Sequence, residues 1–283
     1  MSSFKKHEIL ALQLLGCQTS HIIKYNRIAQ ETDWDNDDMF WAEFLQDNID
    51  YFADSEENVL NSALSKARRI MQEQNNQSIR TISFLDKEYP QSFKKLGNES
   101  PALIYLLGNE ELLSQENQVA IIGARHADHQ GCANAYKLGE LYGASRVVIS
   151  GLAAGCDTAA HQGCLKVKGK TTAIVATGLE RVHPEENKFL QKNILDNGGL
   201  VLSEQPWGTN ARGKNLVARN RLQAALAETI IVAQCLLNSG TMYTVQFGKK
   251  YGKKICAVQE KPNEYNSGNC FLIESGQAEA IVL

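Results

Sequence analysis

The chain has 283 residues, 43% of them hydrophobic and 22% charged, with a formal net charge of -3. That composition suits a soluble protein that buries a real core, and the acidic balance excludes a polycation that holds nucleic acid by bulk charge alone. No apolar run reaches the ~18 residues a membrane span needs, and the length suggests two domains.

The first residues, Met1-Ser2-Ser3-Phe4-Lys5-Lys6, lack the apolar core of a secretion signal, so a cytoplasmic location and no membrane partner are expected. The seven cysteines are scattered and never spaced Cys-x-x-Cys. This argues against a disulfide framework and a structural zinc site, and most are expected as small buried hydrophobes.

Residues 1–75 read as a small helical domain. Ile9, Leu10, Leu12, Leu14 and Leu15 form one apolar stripe, ended by Gly16. Ser20 is placed to cap a second helix carrying Ile22, Ile23, Tyr25 and Ile28. Met39, Phe40, Trp41, Phe44 and Leu45 suggest a third, and Val59 to Met71 a last one with Ala63 and Ala67 on one face. Asn75-Asn76-Gln77 reads as a loop. Short helix pairs of this kind contact nucleic acid or protein in some chains; the plainer reading is a packed accessory domain.

Residues 76–283 read as α/β. Ile79–Phe84 and Ala102–Leu107 are short strands separated by Tyr89-Pro90 and Ser100-Pro101. Three apolar runs then follow, Val119–Ile122, Val147–Ser150 and Thr171–Ala176, ending at Gly123, Gly151 and Gly178. Helix-compatible sequence fills the gaps, which is the pattern of βαβ units in a parallel sheet. Three glycine turns should meet at the carboxyl edge, where open α/β sheets bind ligands.

A helix is expected to start near Asp128 or His129, so the turn at Gly123 offers backbone N–H groups and a positive dipole end to an anion, with Arg125 beside it. Neither Gly-x-Gly-x-x-Gly nor a Walker lysine pattern is present, which argues against a dehydrogenase and against ATP hydrolysis of that type. Asp157 and His161, four apart, share a helix face: an active-site pair, or a helix-start acid with a histidine bonded to it or to backbone. Lys166, Lys168 and Lys170 read from composition as a solvated run.

After the strand Leu200–Glu204 comes a basic loop with Arg212, Lys214, Arg219, Asn220 and Arg221, whose repulsion calls for an anion. Two arginines flanking Asn220 are read as a clamp for a phosphodiester. Glu204 is read as a cap or an arginine partner. A helix over Leu222–Ala227, a strand at Thr229–Ala233, the turn Asn238-Ser239-Gly240-Thr241 and a strand at Lys254–Val258 follow, before a short helix and Ile281-Val282-Leu283. The edge thus collects cations and N–H donors without a nucleophile, metal set or acid pair, and neither a cofactor nor a metal is expected. Single-stranded nucleic acid fits, and so does a nucleotide.

The ordered set of motifs resembles the DprA/Smf family of DNA-processing proteins: Ile121–Arg125, Ser150–His161, Gly169-Lys170-Thr171, Gly178-Leu179, Pro184–Asn187, Ser203-Glu204, Arg219-Asn220-Arg221 and Ser239-Gly240, with Asp86–Pro90 and Pro101–Tyr105 upstream. The resemblance implies an extended Rossmann-like domain that binds single-stranded DNA, forms a homodimer and delivers the strand to a RecA-type recombinase in natural transformation, without enzymatic activity. It implies a nucleic-acid site of Gly123, Arg125, Gly151, Lys170, Arg219, Asn220, Arg221, Ser239 and Gly240, with Arg125 as the phosphate contact and Lys170 as a pocket lysine. The dimer region maps to about 229–260, and no C-terminal winged helix is expected. Ala124 stands where the family usually has serine, and Val217-Ala218 where it has phenylalanine-proline. The alternative function is a Rossmann-like nucleotide sensor or nucleotide-processing enzyme.

Overall fold

The computed structural model describes residues 4–31 and 57–283. They form two compact units, divided between Tyr105 and Leu106. Element labels below count described elements only.

In the first unit, helix α1 (Lys6–Leu14) buries Ile9, Leu10, Ala11 and Leu12, and Gly16 follows it at φ +90°. Such a positive φ ends a helix cheaply only in glycine. Helix α2 (Thr19–Glu31) starts before Ser20, so that serine lies in its first turn rather than at the cap. The helix expected around Met39 to Leu45 lies outside the described residues. Helix α3 (Glu57–Asn76) buries Ala63, Ala67 and Ile70 and packs on α1. It runs through Asn75 and Asn76, which the sequence suggested as loop. The buried Gln74 holds its end, donating through Nε2 to Thr81 Oγ1 at 3.4 Å. Strand β1 (Arg80–Ser83) follows; Lys6 Nζ reaches both Asp86 Oδ2 and the Thr81 carbonyl at 2.8 Å. After the one-turn helix α4 (Gln91–Lys94), the division falls inside strand β2 (Leu103–Gly108).

The second unit holds a parallel sheet with flanking helices. Its elements are β3 (Val119–Ile122), α5 (His129–Gly143), β4 (Val148–Ser150), α6 (Cys156–Lys166), β5 (Thr171–Val175), α7 (Lys188–Asp196), β6 (Leu200–Ser203) and α8 (Gly213–Leu226). Then come β7 (Thr229–Val232), α9 (Thr241–Lys250), β8 (Lys254–Val258), α10 (Ser267–Glu274) and β9 (Glu279–Ile281). The order is β6-β5-β4-β3-β7-β8-β9, and each neighbouring pair is parallel. Strands buried on both faces are largely apolar, which explains the runs of β3, β4 and β5; the buried Ser150 and Thr171 hydroxyls donate to Ile121 O and Val148 O, both at 2.7 Å. Helices α5 and α6 cross closely because a Cβ on Gly139 would strike Ala160 O and one on Gly163 would strike Tyr136 O.

The chain winds from β3 toward β6 on one side and returns beside β3 with β7 on the other. The connections therefore diverge at the carboxyl end of β3, leaving a crevice there. Sequence reasoning missed β9, a three-residue strand paired with β8. It also read Arg212–Arg221 as a loop; nearly all of it is helix α8.

Candidate nucleic-acid interface

The turn leaving β3 is set by close packing. A Cβ on Gly123 would collide with Cys156 Sγ and with Gln234 O, so only glycine fits. Ala124 N donates to Gln234 O at 2.8 Å, and Cys156 N to Ala124 O at 3.1 Å. Asp128 caps α5, accepting from Gly131 N at 2.7 Å and from Gln234 Nε2 at 2.9 Å. Arg125 leaves this rigid turn exposed, with no hydrogen bond or ion pair to any described residue.

The turn leaving β4 is tied down instead. Leu152 is fully buried at φ +57°, a conformation disfavoured for a side chain of that size. Asn187 holds it there, donating through Nδ2 to Leu152 O at 2.9 Å and to Thr158 Oγ1 at 2.8 Å. Asp157 Oδ2 accepts from Gly151 N at 3.1 Å and Ala153 N at 3.4 Å. From α8, Arg219 packs so tightly on Gly151 that any Cβ there would overlap its guanidinium. Arg219 Nη1 donates to Ile174 O. With its amide oxygen turned toward the facing donors, Gln223 accepts from Arg219 Nη1 at 2.7 Å and Gly151 N at 2.9 Å.

Burial governs the titration of this cluster. It raises the Asp157 carboxyl, against the pull of the Arg219 charge. It pushes the Arg219 guanidinium down to about 10, opposed by Asp157 and assisted by Arg125. Arg219 thus keeps its charge at neutral pH. Burial also pushes His161 down to about 3, with Arg219 adding to the effect. The Cys156 thiol is raised by burial and by the Asp157 charge, so it is not a thiolate nucleophile at neutral pH. His161 and Asp157 share a face but do not bond. His161 Nδ1 lies 2.7 Å from Thr171 Oγ1, which itself donates to Val148 O at 2.7 Å. Thr171 therefore accepts from Nδ1–H, fixing the neutral tautomer.

Between the β3 and β7 turns lies a pocket of about 430 Å³. Gly123, Arg125, Arg219, Asn220, Ser239 and Gly240 line it. The N-terminus of α9 opens on it through Thr241 and Thr244, and the buried Ser239 hydroxyl lies beside the Cys235 thiol. A smaller depression of about 80 Å³ adjoins it, lined by Gly151 and sharing Arg125, Ala153 and Leu216. Seven of the nine residues named from sequence are thereby brought together.

Arg221 and Lys170 line neither space. On a helix, residues two apart point roughly 200° from each other, so Arg219 and Arg221 do not clamp one phosphate. Arg221 turns away to a bidentate pair with Glu204, at 2.7 and 2.6 Å, and donates to Ala218 O at 2.8 Å. The repulsion expected of the basic stretch is met from within: Glu204 answers Arg221, and Asp157 answers Arg219. Lys170 precedes β5 and so sits at the amino edge of the sheet, where Nζ donates to Asn197 O at 2.6 Å.

Sequence reasoning missed Tyr265 and Leu236, which also line the larger pocket. Tyr265 lies in the loop after β8, next to the switch point, between Asn263 and Asn266; that turn composition was the available signal. Asn187, read from sequence within the Pro184–Asn187 motif, was given no role there; the fold makes it the donor that holds Leu152.

The sequence model of the family described as DNA recombination-mediator protein A matches residues 80–282. DNA processing protein DprA of Streptococcus pneumoniae is 34% identical over 201 residues, covering 71% of this chain and 70% of that protein. Protein Smf of Synechocystis is 31% identical over 200 residues, covering 70% of this chain but only 50% of that protein, so this chain aligns with half of its length. The X-ray structure of DprA from S. pneumoniae superposes with a TM-score of 0.82 at 28% identity, over 99% of this chain and 95% of that one. A structure of DNA processing protein A from Helicobacter pylori, described for its single-stranded DNA binding mode, gives 0.64 at 31% identity over 72% and 90%.

Proposed function

This chain belongs to the DNA recombination-mediator protein A family, the DprA/Smf proteins, and on that premise we propose that it is a single-stranded-DNA-binding recombination mediator. It takes up the strand at the carboxyl edge of β3 and β7, as a homodimer in the cytoplasm, and delivers it to a RecA-type recombinase during natural transformation. It holds the strand without catalysing a reaction on it. Residues 76–283 are the DNA-binding domain, and residues 1–75 an accessory domain.

The observation that carries this reading is Arg125: a cation on a rigid glycine turn, exposed, without a hydrogen-bond or ion-pair partner among the described residues, at the mouth of a pocket that a helix N-terminus also faces. Such a group costs little to leave free in water and gains a charge-assisted contact when a phosphate arrives. The H. pylori relative, described as binding single-stranded DNA, supports the same ligand. Exposed Leu237 and Tyr243, within 229–260, support that region as the homodimer contact. Gly123, Gly151, Arg219 and Asn220 shape the site. Lys170 and Arg221 take part only if the strand runs beyond the pocket.

A second reading, a free nucleotide as ligand, is favoured by one feature: the pocket volume falls at the lower end of the ~300–1,000 Å³ range of sites that enclose a small molecule. Fluorescence anisotropy of a labelled oligothymidine at two salt concentrations, beside Arg125→Glu, tests the proposal. Salt-sensitive binding lost in the variant is expected. A folded wild type that leaves the oligonucleotide free would overturn the strand reading.

A further inference from the structure

The DNA-binding pocket has an apolar side that phosphate contacts leave unexplained. Leu216 and Val217 of α8, Leu236 of the turn after β7, and Tyr265 of the loop after β8 all line it. Leu236 is 43% exposed and Tyr265 37%, so both present uncovered apolar surface to the opening. Among the described lining residues Tyr265 carries the only phenyl ring.

The loop that carries Tyr265 is held in place. Tyr265 N donates to Asn263 Oδ1 at 2.8 Å, and Asn263 N to Asn266 Oδ1 at 2.9 Å. Asn266 is buried and donates through Nδ2 to Lys261 O at 2.9 Å. The Leu236 turn is fastened to the start of α10: Gly268 N donates to Cys235 O at 2.9 Å, and Leu237 N to Ser267 Oγ at 3.2 Å. Ring and leucine are therefore presented on fixed backbone rather than on free loops, and little ordering entropy remains to be lost on binding.

We infer that Tyr265 is the base-stacking residue of this site, receiving one nucleobase against its ring and the Leu236 side chain while Arg125 holds an adjoining phosphate. The inference rests on the nucleic-acid reading above and names the part of the ligand that reading leaves unplaced. Each base has an apolar face, so stacking on Tyr265 selects for the presence of a base and not for its identity. Backbone cations cannot make that distinction.

The test compares wild type, Tyr265→Ala and Tyr265→Phe on two labelled strands of equal length, oligothymidine and an abasic sugar-phosphate strand, with thermal unfolding of each variant as a folding control. Tyr265→Ala is expected to weaken oligothymidine binding by about 5- to 150-fold, the range for removal of a stacking ring. It leaves abasic binding and the salt slope unchanged, and Tyr265→Phe binds as wild type does. Equal loss on both strands, or no loss on either while Arg125→Glu still abolishes binding, overturns the stacking role and leaves the strand reading standing. If wild type binds neither strand but thymidine monophosphate raises its unfolding temperature and not that of Tyr265→Ala, the strand reading falls and the base-stacking role holds for a free nucleotide. If thymidine monophosphate also has no effect, both fall.

Discussion

The turns after β3 and β4 leave the same edge of one sheet, and each has an arginine near it, yet the two arginines do different work. Arg125 is exposed, with no hydrogen-bond or ion-pair partner among the described residues, whereas Arg219 is 4% exposed and packed on Gly151, donating to Ile174 O and set against Asp157. The first arginine is available to an anion. The second is a brace: it neutralises a buried acid and fixes the backbone on which the pocket is built. Cation count along the sequence does not separate these roles; the number of unfilled donors does.

The comparison breaks first at Arg219. In Arg219→Ala, Asp157 loses its opposing charge and Gln223 one of its two donors, inside packed protein. Removing one member of a buried charge pair typically costs about 3–5 kcal/mol, so a large drop in the urea midpoint is expected. Intact stability with lost DNA affinity would move Arg219 from brace to ligand contact. Arg125 should behave the other way. A hydrogen bond to a charged group contributes about 1.5–3 kcal/mol, so Arg125→Ala is expected to lose at least about tenfold in strand affinity, with unfolding unchanged. Its salt dependence should fall by about 0.7 in slope, the share of one phosphate on a single strand. A variant of Arg125 that unfolds early would erase the distinction.

The brace has a pH signature. His161 is fully buried and neutral, with a pKa about 3 against 6.5 when unfolded. The unfolded chain therefore binds the extra proton, and stability rises with pH through the unfolded value. Going down, it is lost progressively from about pH 6.5 toward the folded value, by about 2 kcal/mol at pH 5. Asp157, raised by burial, acts in the opposite direction: its contribution is present at low pH and is lost as pH rises through the folded value. Urea melts of wild type and His161→Gln across this window separate the two, since only the histidine contribution vanishes in the variant. Wild-type and His161→Gln profiles that run parallel between pH 7 and 5 would contradict a buried neutral imidazole.

A smaller effect is expected at Arg221, which sequence placed in the site and the fold pairs with Glu204. Both side chains are 13% exposed, so the pair is largely shielded but not buried outright. Arg221→Ala should cost about 1–2 kcal/mol and leave strand affinity within about twofold. Thermal unfolding and anisotropy on one preparation measure both.

The sheet was legible because both of its faces are covered: a strand with helices above and below is largely apolar, and β3, β4, β5 and β7 announce themselves as runs. The edge was legible too, since the β3, β4 and β5 runs each stop at a glycine turn. Side-chain direction was not. Arg219, Asn220 and Arg221 are adjacent letters, and only the helix that carries them sends the first inward and the third toward Glu204. A helix lacking an apolar stripe reads as loop, and α8 lacks one because it buries Asn215, Arg219, Asn220 and Gln223 beside its hydrophobic residues. Tyr265 escaped because its neighbourhood to Arg125 exists only across β7 and β8, some 140 positions along the chain.

The finest distinction concerns Lys170, where motif order and geometry part. Order in the sequence places it in the family's pocket; the strand it precedes starts at the amino edge, and its ammonium group is fixed at 2.6 Å from Asn197 O. A five-residue strand spans roughly 16 Å at ~3.3 Å per residue, and a lysine side chain does not bridge that length around the end of a sheet. Beyond a Debye length of ~8–10 Å its exposed charge is largely screened at ordinary salt. Lys170→Ala is therefore expected to change oligothymidine affinity by less than about twofold. The salt slope should equal that of wild type, while Arg125→Ala loses about one phosphate's worth. Oligonucleotide length sharpens the test. If Lys170→Ala weakens a long strand but not one of three or four nucleotides, the strand continues past the pocket to the other edge, and Arg125 marks where it enters rather than where all of it is held.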